Sequence, residues 1–477
     1  MVEVSETLLN LITIADKNRE QGSWRQALDI YINIEKMQNQ SASIKHNIGL
    51  CYFGLSEFNS AIKACSESIE LLPSLWQPNI VIAKSLRQNG DIIQAEKYFD
   101  RVLMLDPSNG EALLGLADLA MNEFGDPIKA KALVEPLQTD ITYSNDARLT
   151  FLMASLYERD QTALQITQSL MAFSQKALQL DATQVLKFLP SHSIKKNKRL
   201  RVGLMSPLFC ASPVFFLTII FFKRIAECCD LIIFNRGTKN DWATEQFRKI
   251  AVSWFDIHSF NAVNIANQIK QQQIDVLYDL GGWMDPVGLS ALSVKPAKKQ
   301  YKWVGGQSVT TGLNCFDGWI GDEWQSPEQF KHLYSEPLIN LSGGYAEYFP
   351  PAYLPKPVRK KLNTYAIFAN PAKVSSAFLT MINEIPGKKC FIHRQYQYQS
   401  VRERIEQFLN PLDVDYICPQ SHREALNAVN RFEVVFDTFP YSSGLTAREV
   451  LSLGSKIQVL KVGELFCERH TAKYLCQ

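Results

Sequence analysis

The feature that most constrains this chain is an alanine that recurs every 34 residues, at Ala27, Ala61 and Ala95. Two other kinds of position keep the same register. Four residues after each alanine stands a side chain that can fill the groove between two helices, and twelve residues before it stands a small residue that lets two helices touch: Tyr31, Cys65 and Phe99, and Ala15, Gly49 and Ala83. These matched registers indicate a repeated pair of helices and argue against a generic bundle with chance alanines.

The 34-residue period is that of the tetratricopeptide repeat, a helix–turn–helix unit. Pro73 and Pro107 follow the second and third alanines by twelve residues, where each second helix should end. Ala117 keeps the period in a fourth unit, whose later alanine slips by one residue to Ala130. Because one repeat cannot bury its own apolar face, the repeats must stack, and such stacks present a concave surface. We therefore predict a tetratricopeptide-repeat array over residues 1–140 that holds another polypeptide.

A helical linker region is predicted over residues 141–198. Its apolar residues follow helical spacing, and a basic cluster marks the domain boundary after it: Lys195, Lys196, Lys198, Arg199 and Arg201. The chain has 50 basic and 48 acidic residues, so it lacks the excess of positive charge that a non-specific nucleic-acid binder needs. The basic cluster is therefore interpreted as a solvated segment, and no nucleic-acid partner is predicted.

The composition predicts a reduced, cytoplasmic protein without a membrane span. The ten cysteines form no CxxC pair and no ladder with histidines, which argues against a disulfide framework or a zinc site. The N-terminus lacks the basic-then-apolar pattern of a signal peptide. The longest nearly apolar run, residues 213–222, is about half of the roughly twenty residues that a bilayer requires. It predicts instead a buried strand or the start of a helix.

From Leu200 onward, short apolar strands alternate with helical segments. Strands are predicted at 201–205, 231–234, 276–278, 300–304, 319–320, 365–368, 390–392, 434–436 and 457–460. This order predicts parallel sheets, with ligands beyond the carboxyl ends of the strands. A proline-rich break at 350–357 divides the region into an N-terminal lobe, 199–355, and a C-terminal lobe, 356–477. Neither a GxGxxG run after the first strand nor a P-loop motif occurs, which weakens dinucleotide and P-loop interpretations.

Three stretches of these lobes resemble the bacterial SPINDLY-like branch of the O-linked N-acetylglucosamine transferases. They are 278–283 (YDLGGW) with 303–306 (WVGG), 334–338 (YSEPL) and 342–345 (SGGY); 368–373 (FANPAK); and 436–441 (FDTFPY) with 449–451 (EVL) and 468–470 (ERH). The resemblance implies an α plus α/β fold, with the repeat superhelix followed by a GT-B-like pair of Rossmann-like lobes. It also implies transfer of a sugar, GlcNAc in the family, from a UDP-sugar to Ser or Thr of a polypeptide held by the repeats, with no metal and no further cofactor.

The resemblance assigns donor-binding roles to five residues. Lys373 matches a phosphate-contacting lysine of the family, and Gly444 and Thr446 lie in a turn whose N–H groups would face a diphosphate. Glu449 falls where the family has a ribose-binding aspartate. His422 lies one turn away from the position of a base-stacking histidine. The alternatives left open are a solvated lysine, an ordinary capped helix and a surface histidine.

This sequence also departs from the family pattern. Ser212 stands at a histidine that lies near the reacting groups, Leu208 at an acidic position and Phe216 at a second histidine, while Gly444 and Leu445 replace a donor-binding His-Thr pair. Because serine does not act as a base near neutral pH without help, no catalytic residue is predicted. The alternative function is a catalytically degenerate relative that acts as a protein-binding adaptor or scaffold. The short sequence after the last clear strand predicts a shortened C-terminal lobe.

Overall fold

The computed structural model describes residues 2–37, 41–186 and 199–475. The chain forms two compact units, Met1–Phe151 and Leu152–Gln477. Among the described residues, no helix has both the length and the apolar character to cross a bilayer. Lys195, Lys196 and Lys198 of the predicted basic cluster lie outside the described residues.

The first unit consists of paired helices. Their bounds are α1 Val2–Glu20, α2 Trp24–Met37, α3 Ala42–Gly54, α4 Phe58–Leu71, α5 Gln77–Gln88, α6 Ile92–Leu105, α7 Gly110–Asn122 and α8 Pro127–Val134, and α9, Ser144–Ala154, crosses the boundary between the units. From α1 to α8, each helix packs against the next along the chain. α4 and α6 end two residues before Pro73 and Pro107, because proline cannot continue a helix. The predicted tetratricopeptide-repeat fold is confirmed.

The periodic small residues lie where the helices touch. The side chains of Ala27, Ala61 and Ala95 are fully buried, and the groove-filling Phe99 is almost fully buried. A methyl group at Gly49 would collide with the sulfur of Cys65 and crowd the carbonyl of Ala61, so only glycine fits there. The repeat period therefore follows from close packing between adjacent helices.

The second unit begins with a seven-stranded parallel sheet, in the order β3-β2-β1-β4-β5-β6-β7. Its strands are β1 Leu200–Ser206, β2 Cys229–Asn235, β3 Ser253–Asp256, β4 Val276–Asp279, β5 Lys299–Lys302, β6 Gly318–Gly321 and β7 Leu338–Asn340. Its helices are α10 Ala163–Ala177, α11 Pro213–Cys228, α12 Trp242–Ile250, α13 Ala262–Gln271 and α14 Pro286–Leu292. The apolar run 213–222 is thus the start of a helix, one of the two predicted possibilities.

A five-stranded parallel sheet follows, in the order β10-β9-β8-β11-β12. Its strands are β8 Leu362–Ile367, β9 Lys389–Ile392, β10 Val414–Ile417, β11 Phe432–Phe436 and β12 Lys456–Gln458. Its helices are α15 Ser376–Asn383, α16 Gln399–Glu406, α17 His422–Val429 and α18 Leu445–Ser452. The two sheets have separate apolar cores. The predicted pair of Rossmann-like lobes is confirmed.

Several parts of the chain differ in detail from the expectation. β3, β7 and β10 were not predicted, because each is short and only partly buried and gives a weak apolar signal. Arg201 lies in β1, within the predicted strand 201–205, and donates to the carbonyl of Gln272, so this member of the basic cluster is not part of a solvated segment. α10 of the predicted linker region packs on the first lobe, where Ser174 Oγ donates to the carbonyl of Thr311 at 2.6 Å. The bounds of the four predicted domains stay predictions.

Candidate functional site

The candidate site lies at the carboxyl ends of β8 and β11, which are neighbours in the second sheet. A short 3-10 turn, Pro371–Lys373, follows β8, and Asn370 accepts a hydrogen bond from the N–H of Ala372 at its start. This turn directs Lys373 toward the segment after β11, where its Nζ donates to the carbonyl of Ser442 at 3.0 Å. The same nitrogen lies 4.6 Å from the centre of the Tyr441 ring. Lys373 and the turn before α18 are therefore brought together, as a phosphate site requires.

The charge of Lys373 is not neutralised by a direct ion pair. Burial lowers the pKa of its ammonium group, and the Asp437 carboxylate opposes that shift from a distance. Among the described residues, no carboxylate lies within ion-pair distance of its Nζ. The side chain keeps a partly exposed surface. An enclosed cation with access to solvent and no paired carboxylate favours the binding of an anion.

Asp437 holds the turn between β11 and α18. Its carboxylate accepts hydrogen bonds from the N–H groups of Thr438 and Ser443, at 2.9 and 2.8 Å, and from the hydroxyl of Thr471. Ser442 Oγ donates to the carbonyl of Cys467 at 2.8 Å and accepts from the N–H of His470. Burial raises the pKa of Asp437, and the hydrogen bonds counteract that shift. Hydrogen bonds within the turn and hydrogen bonds to the segment after β12 therefore hold the turn in place.

The amino end of α18 has no side-chain cap. Gly444 is its N-cap residue and α18 begins at Leu445, so Thr446 lies in the first turn of the helix and not in the preceding turn. The first N–H groups of a helix have no partner within it, and the helix dipole makes this end positive. Together with Lys373, this end of α18 has the features of a phosphate site.

Glu449 and His422 form a pair on neighbouring helices. His422 Nε2 lies 2.8 Å from Glu449 Oε1, and His422 Nδ1 lies 2.9 Å from the hydroxyl of Tyr353. Glu449 is 1% exposed, and its Oε2 has no hydrogen-bond partner among the described residues. The ring of Phe216, from the other lobe, lies 5.7 Å from that of His422. His422 is therefore fixed in place, and Glu449 has one free acceptor.

The loop after β1 offers no activated nucleophile or base. Ser212 is 8% exposed, and its Oγ donates to the carbonyl of Leu208 at 2.9 Å. The N–H group of the preceding residue, Ala211, donates to the carboxylate of Asp241. A hydroxyl that donates to a carbonyl has no base to take its proton. The structure thus assigns Ser212 a role in holding its own loop.

Two residues in or beside α18 had no predicted role. His470 lies beside Gly444, and burial lowers its pKa to about 3, so its ring is neutral at pH 7. Arg448 lies one turn into α18, where its guanidinium carbon is 5.9 Å from the centre of the Tyr345 ring. The sequence signal for Arg448 was a cation between the two candidate residues Thr446 and Glu449. Such a cation is usually solvated, and it was overlooked for that reason.

Comparison with known proteins relates both units to described families. The sequence model for glycosyl transferase family 41 matches residues 162–349, and that for the tetratricopeptide repeat matches residues 86–140. A probable UDP-N-acetylglucosamine–peptide N-acetylglucosaminyltransferase SPINDLY from Solanum lycopersicum is 24% identical over 247 residues, which are 47% of this chain and 26% of that protein. The probable transferase SEC from Arabidopsis thaliana is 29% identical over 153 residues, 31% of this chain and 15% of that protein.

A solved structure has the same fold over almost the whole chain. It is an O-GlcNAc transferase mutant from Thermobaculum terrenum, with a TM-score of 0.60 and 17% identity, covering 98% of this chain and 84% of that one. The SPINDLY relatives are much longer than this chain, which spans 26% to 32% of their length. The likeness therefore establishes the architecture, and the roles of the individual site residues stay predictions.

Proposed function

Because the chain is an O-GlcNAc transferase/SPINDLY-like protein, built of tetratricopeptide repeats and a GT-B pair of lobes, we propose that it is a glycosyltransferase. It moves a sugar from a UDP-sugar to a serine or threonine hydroxyl of a polypeptide. The bond between the anomeric carbon and the diphosphate breaks, UDP keeps the electron pair, and the hydroxyl oxygen forms a new bond to the anomeric carbon as its proton passes to a phosphate oxygen of the departing UDP. The relatives' names specify N-acetylglucosamine, so UDP-GlcNAc is the first donor to test.

The observation that carries this proposal is the position of Lys373. Its ammonium group lies at the turn before the uncapped amino end of α18 and has no paired carboxylate among the described residues. Negative charge develops on the departing diphosphate, and fixed cations and N–H groups stabilise it most when they are already in place. The backbone hydrogen bonds of Asp437 keep this arrangement rigid before any ligand arrives.

Glu449 supports a nucleoside on the same site. Its free Oε2 is a buried acceptor, and an unpaired buried acceptor is unfavourable until a donor reaches it. A ribose hydroxyl is a donor of suitable size and polarity. Glu449 lies five residues from Gly444, about 7.5 Å along α18 at 1.5 Å per residue. One helix would thus contact the diphosphate at its end and the ribose one turn later.

The repeats supply the proposed acceptor site. Stacked tetratricopeptide repeats bind polypeptide segments along their concave surface. The acceptor is therefore proposed to be a protein, and its identity is open. A separate, peptide-binding unit is consistent with a transferase that recognises its acceptor away from the reacting hydroxyl.

Transfer is tested by measuring UDP release from UDP-GlcNAc in the presence of a peptide library. The wild-type chain should release UDP in a peptide-dependent manner, and Lys373→Ala should lower the rate at least tenfold, since the cation is needed most in the transition state. Lys456→Ala is the matched control, because Lys456 is an exposed lysine of the same lobe that pairs with Glu433. A Lys373→Ala rate equal to that of the control would remove Lys373 from the mechanism.

A second candidate function is a protein-binding adaptor with an inactive cleft. It is favoured by Ser212, which stands at the family's histidine position and whose hydroxyl donates to the carbonyl of Leu208. The adaptor interpretation expects no peptide-dependent UDP release with any UDP-sugar. Peptide-dependent release that Lys373→Ala abolishes would exclude it.

A further inference from the structure

Three consecutive residues that precede both lobes in the sequence contact the elements that build the candidate site. They are residues 157–159, which follow the end of α9 and which we call the support segment. Each of its side chains reaches a different element: the turn before α18, the start of α15 and the segment after β12. These contacts join residues 218 to 309 positions apart. The candidate site is therefore supported by a part of the chain that is remote from it in sequence.

Tyr157 stacks on Tyr441 in the turn before α18. The ring centroids are 4.6 Å apart, and the ring planes are inclined by 17°. The hydroxyl of Tyr441 is hydrogen-bonded to that of Ser308 at 2.7 Å, so the ring is held at its face and at its hydroxyl. Lys373 Nζ lies 4.6 Å from the centre of the same ring. Because an aromatic face attracts a cation, a fixed Tyr441 ring also holds the ammonium group in place.

Glu158 contacts the helix that follows Lys373. α15 begins at Ser376, three residues after Lys373. The N–H group of Ser376 donates to Glu158 Oε2 at 3.0 Å. A carboxylate is favourable at the amino end of a helix, because the N–H groups there have no partner within the helix. Glu158 therefore holds the start of α15 and, with it, the end of the turn that carries Lys373.

Arg159 forms an ion pair with Glu468 in the segment after β12. Arg159 Nη1 lies 2.7 Å from Glu468 Oε1, and the side chain of Glu468 is fully buried. Glu468 Oε2 accepts hydrogen bonds from the N–H groups of Glu464 and Leu465, at 2.8 and 3.0 Å. Because a buried carboxylate is unfavourable without its cation, Arg159 fixes this segment, which is also hydrogen-bonded to Ser442.

The three contacts act on the same geometry, that of Lys373 and the turn before α18. A flexible site must be ordered when its ligand binds, and the free energy of that ordering lowers the affinity. A site whose side chains are already held by packing and hydrogen bonds avoids this loss. The support segment is not among the proposed nucleotide contacts, so it would act through Lys373 and the end of α18.

We propose that the support segment positions the donor site, and that Tyr157 is a positioning residue for Lys373 through the ring of Tyr441. The inference rests on the proposed function and deepens it, because the affinity for the nucleotide then depends on residues that precede both lobes. Stacking requires the ring of Tyr157 and not its hydroxyl. Phenylalanine should therefore replace Tyr157, and an aliphatic side chain should not.

Calorimetry with UDP on the full chain tests the inference. Tyr157→Leu should lower the affinity for UDP about tenfold, and Tyr157→Phe, which keeps the stacked ring, should change it less than twofold. Tyr416→Leu is the matched control, because Tyr416 lies in the edge strand β10 and packs against Phe391 and Tyr396. It removes a partly buried ring from the same lobe and should change the UDP affinity less than twofold.

A double-mutant cycle separates positioning from a general loss of stability. If Tyr157 acts through Lys373, then Tyr157→Leu should cost less than twofold in UDP affinity once Lys373→Ala is present. Ligand-observed NMR measures the weaker affinities in that background. An equal loss in both backgrounds would give Tyr157 a merely structural role and overturn the inference.

Glu158→Ala is an independent variant that leaves the aromatic stack intact. It should lower the UDP affinity about threefold, and Glu158→Gln, which keeps an oxygen acceptor for the N–H group of Ser376, should recover most of that loss. Melting temperatures verify that each variant folds. If Tyr157→Leu does not fold, Glu158→Ala decides the question in its place.

Failure of the inference and failure of the proposed function give different results. Wild-type UDP affinity in folded Tyr157→Leu, or in Glu158→Ala where that variant decides, overturns the inference and leaves the proposed function in place. No binding of UDP by the wild-type chain overturns the proposed function, and the inference with it, since no donor site would then exist to be positioned.

Discussion

Two strand-to-helix turns, one in each lobe of the second unit, can be compared directly. The turn from β1 to α11 ends at Ser212 and is followed by Pro213, which has no N–H, and the buried ring of Phe216 lies in the first turn of the helix. The turn from β11 to α18 ends at Gly444, with Lys373 beside it. The polar groups of the turn from β1 to α11 are hydrogen-bonded within that lobe. The turn from β11 to α18 presents N–H groups and a cation, so the capacity to bind an anion lies on the side of the C-terminal lobe.

Under the proposed function, the difference separates two parts of the chemistry, donor binding and proton transfer. Donor binding depends on backbone geometry and one lysine, and both are present in the second lobe. Proton transfer to a protein side chain depends on a titratable group at one place, and Ser212 supplies none in the first lobe. The two functions separate physically, so substitutions on either side should have separable effects.

The largest expected effect comes from Asp437→Ala. The change leaves the N–H groups of Thr438 and Ser443 and the hydroxyl of Thr471 without their acceptor, so the turn before α18 loses its support. We expect a loss of about 3 kcal/mol in the free energy of unfolding, and a loss of UDP affinity of more than tenfold. Urea denaturation and calorimetry measure the two. Unchanged UDP affinity would show that the geometry of this turn is irrelevant to the nucleotide.

His470 should make the stability of the folded chain sensitive to acid. The pKa of its ring is about 3 in the folded chain and about 6.5 in the unfolded chain. Between these two values only the unfolded chain takes up the proton, so the free energy of unfolding decreases as the pH is lowered below about 6.5. Between pH 7 and pH 5 this group should remove about 2 kcal/mol of folding free energy. His470→Gln should lose correspondingly less over that interval in urea denaturation. Parallel pH profiles for the two proteins would contradict the prediction.

Glu449→Gln should have a moderate effect confined to the ribose. The amide replaces a charged acceptor with a weaker one while filling the same space beside His422. Wild-type protein should prefer UDP to 2′-deoxy- or 3′-deoxy-UDP by about fivefold, roughly 1 kcal/mol for one hydrogen bond. The variant should lose most of that preference in competition binding. A preference that survives in the variant would assign the ribose to another residue.

The smallest expected effect is that of Ser212→Ala. It removes the hydrogen bond from Ser212 Oγ to Leu208, with a loss of about 1 kcal/mol of stability. The affinity for UDP should change less than twofold, because Ser212 lies on the other lobe's turn. Thermal denaturation and calorimetry give the two values. A large loss of UDP affinity would show that the turn of the first lobe also contributes to the nucleotide site.

The fold was predictable where packing is periodic or local. The alanines at 34-residue intervals are buried because each repeat packs on its neighbour in the same way, so the sequence period carries the structure. Longer strands of the lobes were identifiable for their continuous apolar residues. β3 was missed, because its four residues are only partly buried and resemble a loop in composition.

Residues of the candidate site were predictable only where they belong to a motif that resembles the family. Lys373 and Gly444 were identified by resemblance, and the structure brings them together. The pairing of His422 with Glu449 joins residues 27 positions apart on two helices, and no local pattern encodes it. Arg448 was missed for a related reason, since its contact with Tyr345 joins residues that are far apart in the sequence and no local pattern encodes it.

The UDP affinities of a matched pair, Lys373→Ala and Ser212→Ala, measured by calorimetry against the wild-type chain, test directly whether the second lobe binds the donor. We predict one UDP site in the wild type, a loss of affinity of at least tenfold in Lys373→Ala and a change of less than twofold in Ser212→Ala. No heat at millimolar UDP, or equal losses in the two variants, would contradict the claim that the second lobe retains the donor site.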